Sequence, residues 1–170
     1  MNKVQTLNEE IIQYIMISFI KLLEYENFEK ISIVEIITKA GVSRNSFYRN
    51  FSSKEDILKQ YITRVTDDFI CNANIPILEI SWGKYIETIL RHLYKQRAFV
   101  DILIRNNKLY LISDIFDKAI QNRINGRVDY NHALFLSGGL FNIYKFWAQS
   151  GYKESPEIIA KSFEIPILGI

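Results

Sequence analysis

The sequence predicts an all-α fold of about nine helices. Apolar residues recur at three- and four-residue spacings through most of the chain, and strand-like alternation never persists over several segments. Serine caps and asparagine or glycine stops separate the periodic stretches. With 48% hydrophobic and 14% aromatic residues in 170, the chain has material for a sizeable core, as one long domain or as two small helical ones sharing a helix. The same composition argues against disorder.

The first helix is expected over about 8–25, with Ile12, Ile15, Met16, Phe19, Leu22 and Leu23 on a core stripe. Glu26-Asn27-Phe28 forms the connection that follows. Ser32 and Glu35 then make a capping box, in which serine satisfies an orphan amide and glutamate reaches back to the cap. Ile33, Ile36, Ile37 and Ala40 give that helix one buried stripe, and Gly41 ends it, because a left-handed step costs least without a side chain. Val42 plugs the turn, Ser43 caps the next helix, and Phe47 and Phe51 face inward. Arg44, Asn45, Ser46, Tyr48, Arg49 and Asn50 remain outside. Ser52 or Ser53 caps a fourth helix carrying Ile57, Leu58, Tyr61, Ile62 and Val65. Asn72-Ala-Asn-Ile-Pro76 breaks it, since proline bars helix continuation.

Between Ile36 and Lys54 the charged residues are Lys39, Arg44, Arg49 and Lys54, with no acid among them, whereas the whole chain carries a net charge of only +2. A helix-turn-helix with a basic outer face suits phosphate neutralisation, and its side chains can read base edges, Arg toward guanine and Asn toward adenine.

Residues from about 8 to 62 resemble the DNA-binding domain of the TetR/AcrR family of bacterial transcription regulators. Ala40-Gly-Val-Ser43, Phe47-Tyr48, Phe51 and Ser53-Lys54-Glu55 carry the resemblance, at the turn, the recognition helix and the start of the fourth helix. It implies a DNA-binding domain over residues 1–52 and a helical regulatory and dimerisation domain over 53–170. Residue by residue, it implies phosphate contacts from Ser32, Ser46, Tyr48 and Lys54 and base-reading roles for Arg44, Asn45 and Arg49. Asn50 stands where the family often has His. The implied partners are a palindromic DNA operator, a second copy of the chain, and an effector acting through the fourth helix.

Further helices are expected over about 81–94, 97–105, 109–123 and 130–150, with turns at Asn106-Asn107 and Asn125-Gly126, and a short last helix begins at Ser155-Pro156. The 130–150 helix is apolar over a wide arc, with Leu136, Leu140, Ile143 and Trp147 on one side and Ala133, Phe141, Tyr144 and Ala148 on another. It is therefore buried on more than one side, either as a central core helix or, as the resemblance implies, with one side packed inward and the other meeting a second copy across a dimer axis. The first side is the candidate for that contact and the second is left open, with Gly138 and Gly139 permitting close approach or leaving space beside a pocket. The run from Phe135 to Trp147, with Gly151 and Ser155-Pro156-Glu157, also resembles the C-terminal region of a TetR subgroup that includes the activator of dihydroxyacetone kinase genes. Some members of that subgroup answer to a protein partner. Trp82, Tyr85, Phe99, Tyr110, Phe116, Phe141 and Tyr144 could line an effector pocket or form plain core, and the scarcity of charge in these stripes favours a hydrophobic or neutral ligand.

Catalysis finds no support. No Gly-x-x-x-x-Gly-Lys, Gly-x-Gly-x-x-Gly or Gly-x-Ser-x-Gly occurs, so no enzyme activity, catalytic residue or cofactor is expected. Cys71 is the single cysteine, lies near Asp67 and Asp68, and reads as an inert thiol. His92 and His132 lack metal-ligand spacing, so no metal is expected. No apolar run reaches the roughly 18 residues of a membrane span and no export signal precedes the first helix, which points to a cytoplasmic protein.

Overall fold

The computed structural model describes residues 3–73, 81–124 and 129–164, and among these described residues there are nine helices and no strand. In chain order they are α1 (Lys3–Leu23), α2 (Ile33–Ala40), α3 (Arg44–Asn50), α4 (Lys54–Ala73), α5 (Trp82–Lys95), α6 (Arg97–Arg105), α7 (Tyr110–Ile124), α8 (Tyr130–Gln149) and α9 (Pro156–Lys161). The chain divides into two compact units, Met1–Arg64 and Val65–Ile170, so α4 begins in the first and ends in the second.

Helix α1 starts at Lys3, earlier than its apolar pattern suggests. Its added turn holds the exposed residues Gln5, Thr6 and Leu7, which leave no buried stripe for periodicity to reveal. Helix α4 ends at Ala73, within the expected break. The rest of that break and the expected turn at Asn125-Gly126 lie outside the described residues, as do the side chains of Cys71, His132 and Ala133.

In the first unit α1 packs on α2 and α3, which also pack on each other. Ile15, Met16, Phe19 and Leu23 of α1 meet Phe28, Ile31, Ile36, Phe47, Phe51, Ile57, Leu58 and Ile62 in a closed apolar core. Phe19 and Phe28 stack edge to face at 5.9 Å, which fixes the α1–α2 connection against α1.

In the second unit α7 packs on α8, α5 on α9, and α6 on both α5 and α8. Gly83 is buried because α9 passes so close that a side chain there would lie 3.0 Å from the Ala160 carbonyl oxygen. Arg91 of α5, held by Glu87 of the same helix at 2.8 Å, links the two helices through Glu157 of α9. At the end of α8, Trp147 donates from Nε1 to the Glu154 carbonyl at 2.7 Å and packs on Tyr94 and Tyr152.

Helix α8 carries the side expected to meet a second copy. Leu140 and Trp147 are 7% and 5% exposed, buried in the core of their own unit, and Leu136 and Ile143 are half-buried. The most exposed apolar residues of α8 are Phe135 and Phe146, at 74% and 68% exposure, with Tyr130 and Leu134 also exposed near its start. Eleven residues make three helical turns, so these two phenylalanines share one side of α8, with Gly139 and Asn142 between them. Gly138 and Gly139 have open space around them, so close helix approach within the chain is not what they serve.

Candidate nucleic-acid interface

The helix-turn-helix forms from local chemistry. Ser32 has extended geometry and its hydroxyl accepts from the Glu35 amide at 3.2 Å, while the Glu35 carboxylate accepts from both the Ser32 amide and hydroxyl at 2.7 Å. These bonds, and to a smaller degree the nearby Lys54 charge, hold the Glu35 carboxyl below its ordinary value. Gly41 closes α2 with φ of 67°. Ser43 then caps α3 by accepting from the Ser46 amide at 3.0 Å. Phe47 and Phe51 are buried, and their rings, 5.9 Å apart, seat α3 on the core.

Burial of one side of α3 leaves Arg44, Asn45, Tyr48 and Arg49 exposed on the other. Tyr48 is 53% exposed, and its ring leans edge-on against Phe47 at 5.2 Å, which orients the phenol outward. Among the described residues the ends of Arg44, Asn45 and Arg49 meet no hydrogen-bond or ion-pair partner, and Lys39 at the end of α2 is likewise exposed. The face therefore presents three cations, a carboxamide and a phenol.

Three residues grouped with this face are engaged elsewhere. The Ser32 amide and hydroxyl both belong to the capping box. Asn50 is half-buried and exchanges amide hydrogen bonds with Asn8, also donating to the Ser46 carbonyl at 2.9 Å. Lys54 turns its ammonium into the α1–α2 connection, donating to the carbonyls of Phe28 and Ile31 at 2.7 Å each and Glu29 at 3.4 Å. Ser46 is half-buried, with its hydroxyl 2.9 Å from that of Ser43.

Periodicity did not reveal what fastens α4 to this head. Ser53 caps α4 by accepting from the Asp56 amide, and the Asp56 carboxylate accepts from the Ser52 amide at 2.8 Å. One turn on, Gln60 donates to the Asn50 carbonyl at 3.1 Å. Arg64 forms a two-pronged ion pair with Glu9 of α1 and holds that carboxyl below its ordinary value. The polar types at Asn8, Gln60 and Arg64 were visible, but nothing local marks which distant residue each one meets.

In the second unit the seven aromatic candidates separate. Tyr110 and Phe141 line an open groove of about 410 Å³ between the α6–α7 corner and α8, beside Asn107, Ser113, Asp114 and Lys145. Tyr85, Phe99 and Tyr144 are core residues, Trp82 is exposed and stacks on Tyr85 at 5.7 Å, and Phe116 is half-buried outside the groove lining. The groove also carries both signs of charge, unlike the apolar pocket the sequence suggested. Burial pushes the Tyr144 phenol well above its ordinary value, and in half-buried Tyr152 the burial of the hydroxyl, followed by the charge of Asp101, pushes the phenol up to about 12. His92 is half-buried, and desolvation, with the charge of Lys95, holds its imidazole below the ordinary value.

Among the described residues no helix is long and apolar enough to cross a membrane, and no group of three or more His, Cys, Asp or Glu side chains could hold a metal.

Comparison with known proteins agrees with this arrangement. Residues 20–61 match the family described as bacterial regulatory proteins, tetR family, and residues 81–169 match the transcriptional regulator C-terminal region. No curated protein matches the chain in sequence. Among solved structures, the dihydroxyacetone kinase operon activator DhaS has a similar fold, with a TM-score of 0.56 and 18% identity over 91% of this chain and 92% of that one. The first match covers the helix-turn-helix and the second, by itself, just over half of the whole chain, so this protein belongs to the TetR family of bacterial transcription regulators, with a DNA-binding domain at its N-terminal end.

Proposed function

We propose that the protein is a repressor that binds a palindromic operator as a homodimer and leaves it when an effector occupies the C-terminal domain. The observation that carries the DNA contacts is the uncommitted outer face of α3. Arg44 and Asn45 at its head read base edges, Arg49 reads bases or neighbouring backbone, and Tyr48 and Ser46 hold phosphates. The division of labour follows the chain: residues 1–52 read DNA, and residues 53–170 sense and dimerise.

A second copy covers Phe135 and Phe146 of α8, because two large aromatic rings exposed on one helix side are an unsatisfied apolar surface. An isologous contact there relates two reading heads by a two-fold axis, which calls for a palindrome. The effector sits in the groove between Tyr110 and Phe141, whose volume suits a small molecule. Lys145 and Asp114 at its wall favour a ligand with an aromatic or apolar body and polar ends. Because Gln60 and Arg64 fasten α4 to the head, tilting α4 carries the head as one body and changes the separation of the two α3 helices.

Sedimentation with and without a palindromic duplex tests this reading. The wild type should sediment as a dimer and shift with the duplex, and Phe146→Glu should give a helical monomer of much reduced operator affinity. A wild-type monomer, or a Phe146→Glu monomer of full affinity, would overturn it.

A second reading has one observation in its favour: the structural relative is named as an operon activator. In that reading the protein switches transcription on, and its C-terminal domain takes a partner protein in place of a small ligand. Transcription from an operator-linked reporter, rising or falling when the protein is expressed, separates the two.

A further inference from the structure

We infer that Lys54 is a positioning residue that clamps the α1–α2 connection to the start of α4, and that it does not contact DNA phosphate. The inference rests on the reading of α2 and α3 as a DNA-binding head and deepens it by removing the one cation of the segment that points inward.

The connection explains why a lysine is needed. Asn27 begins a turn in which its side-chain oxygen accepts from the Glu29 amide at 3.0 Å and its carbonyl accepts from the Lys30 and Ile31 amides at 3.0 and 3.3 Å. The amides of Glu29, Lys30 and Ile31 are thereby satisfied. The carbonyls of Phe28, Glu29 and Ile31 converge instead on one point, where a partner must bring several donors at once. An ammonium has three N–H groups and no acceptor, and Lys54 brings it there from α4. The charge also lies 4.7 Å from the centre of the Phe28 ring, on which it gains a further electrostatic attraction.

With three carbonyls bound, no ammonium hydrogen remains for a phosphate oxygen. The clamp has a positional effect, because Ile31 directly precedes Ser32, the cap that starts α2. Fixing the Ile31 carbonyl to α4 therefore fixes where α2 begins. Together with Gln60 on the Asn50 carbonyl, it ties α4 to the start of α2 and to the end of α3, so the helix-turn-helix is gripped at both ends.

The test has an arm in the free protein and an arm with DNA. A caged ammonium exchanges its hydrogens slowly, so the Lys54 side-chain nitrogen should give a resolved signal in an NMR spectrum of the wild-type protein. That signal should keep its position when a duplex is added. Lys54→Arg and Lys54→Ala should both lower operator affinity by about tenfold at a temperature where circular dichroism shows them folded. A planar guanidinium keeps the charge but does not fit three carbonyls gathered around one point. The slope of log affinity against log salt should match that of the wild type in both variants. The inference is overturned if the signal is absent from the free protein or moves on adding DNA. It is equally overturned if Lys54→Arg binds as the wild type does while Lys54→Ala loses about 0.9 of slope, the mark of one phosphate contact. Should the wild type bind no duplex at all, the DNA-binding reading fails, and the signal in the free protein still decides the clamp.

Discussion

Asn8 on α1 and Asn50 at the end of α3, 42 positions apart, exchange a reciprocal pair of amide hydrogen bonds, one donated by Asn8 at 3.0 Å and one by Asn50 at 3.2 Å. The pair brackets the recognition helix against the helix behind it. Asn50→Ala should cost the N-terminal unit about 1 kcal/mol, since each side chain leaves the other's polar groups half-satisfied. Asn8→Ala should cost about as much, and the double variant little more than either. Urea unfolding followed at N-terminal amides measures this, and strictly additive losses would mean that the pair is not coupled.

The capping box of α2 has its own pH dependence. Ser32→Ala should destabilise the N-terminal unit by about 1 kcal/mol and leave the salt slope of DNA binding unchanged, because the hydroxyl serves the helix. The Glu35 carboxyl is held below its ordinary value, mainly by the Ser32 amide and hydroxyl. Its contribution is therefore present above the ordinary value of 4.5 and lost as pH falls through the depressed one. Acid titration of helicity should show this loss in the wild type and not in Glu35→Gln.

Two glycines should respond in opposite directions. Gly83→Ala forces a methyl group to within 3.0 Å of the Ala160 carbonyl, and should cost about 1 to 3 kcal/mol in thermal or urea unfolding. Gly139→Ala meets nothing within 4 Å in its own chain and should stabilise the monomer by up to about 1 kcal/mol through helix propensity. If a second copy packs on that side of α8, the same methyl group should weaken the dimer in sedimentation.

His92 makes the C-terminal unit acid-sensitive. Its folded pKa is depressed, chiefly by burial, so the unfolded chain takes up the proton first as pH drops. Stability should be constant above the ordinary value of 6.5 and fall from there down to the depressed value. His92→Gln should flatten this part of the melting-temperature profile, and an unchanged profile would assign the acid loss to another group.

What the sequence displays and what it hides differ in range. Ser32 with Glu35, Gly41 and Ser43 are local signals, each complete within four residues, and the structure builds each one as the chemistry requires. Asn50 and Lys54 look like surface polar residues of a DNA-binding head because their partners lie 42 and 23 to 26 positions away, where no spacing rule reaches. Helix α8 shows a further limit. Its apolar residues cover so much of the circumference that periodicity cannot rank the sides, and only packing against α6 and α7 decides that Trp147 goes in and Phe146 stays out. Lys145 and Asp114 come from different helices, and that both line one groove is likewise a product of packing.

Selection of duplexes from random-sequence DNA by the full chain, beside an Arg44→Ala, Asn45→Ala variant, tests the α3 reading head most directly. The account predicts that the wild type enriches one two-fold-symmetric site. The variant should lose preference at the same base pairs of both half-sites, by roughly 1 to 3 kcal/mol for each bidentate contact removed. No enriched site, or the same site enriched equally by the variant, would contradict it.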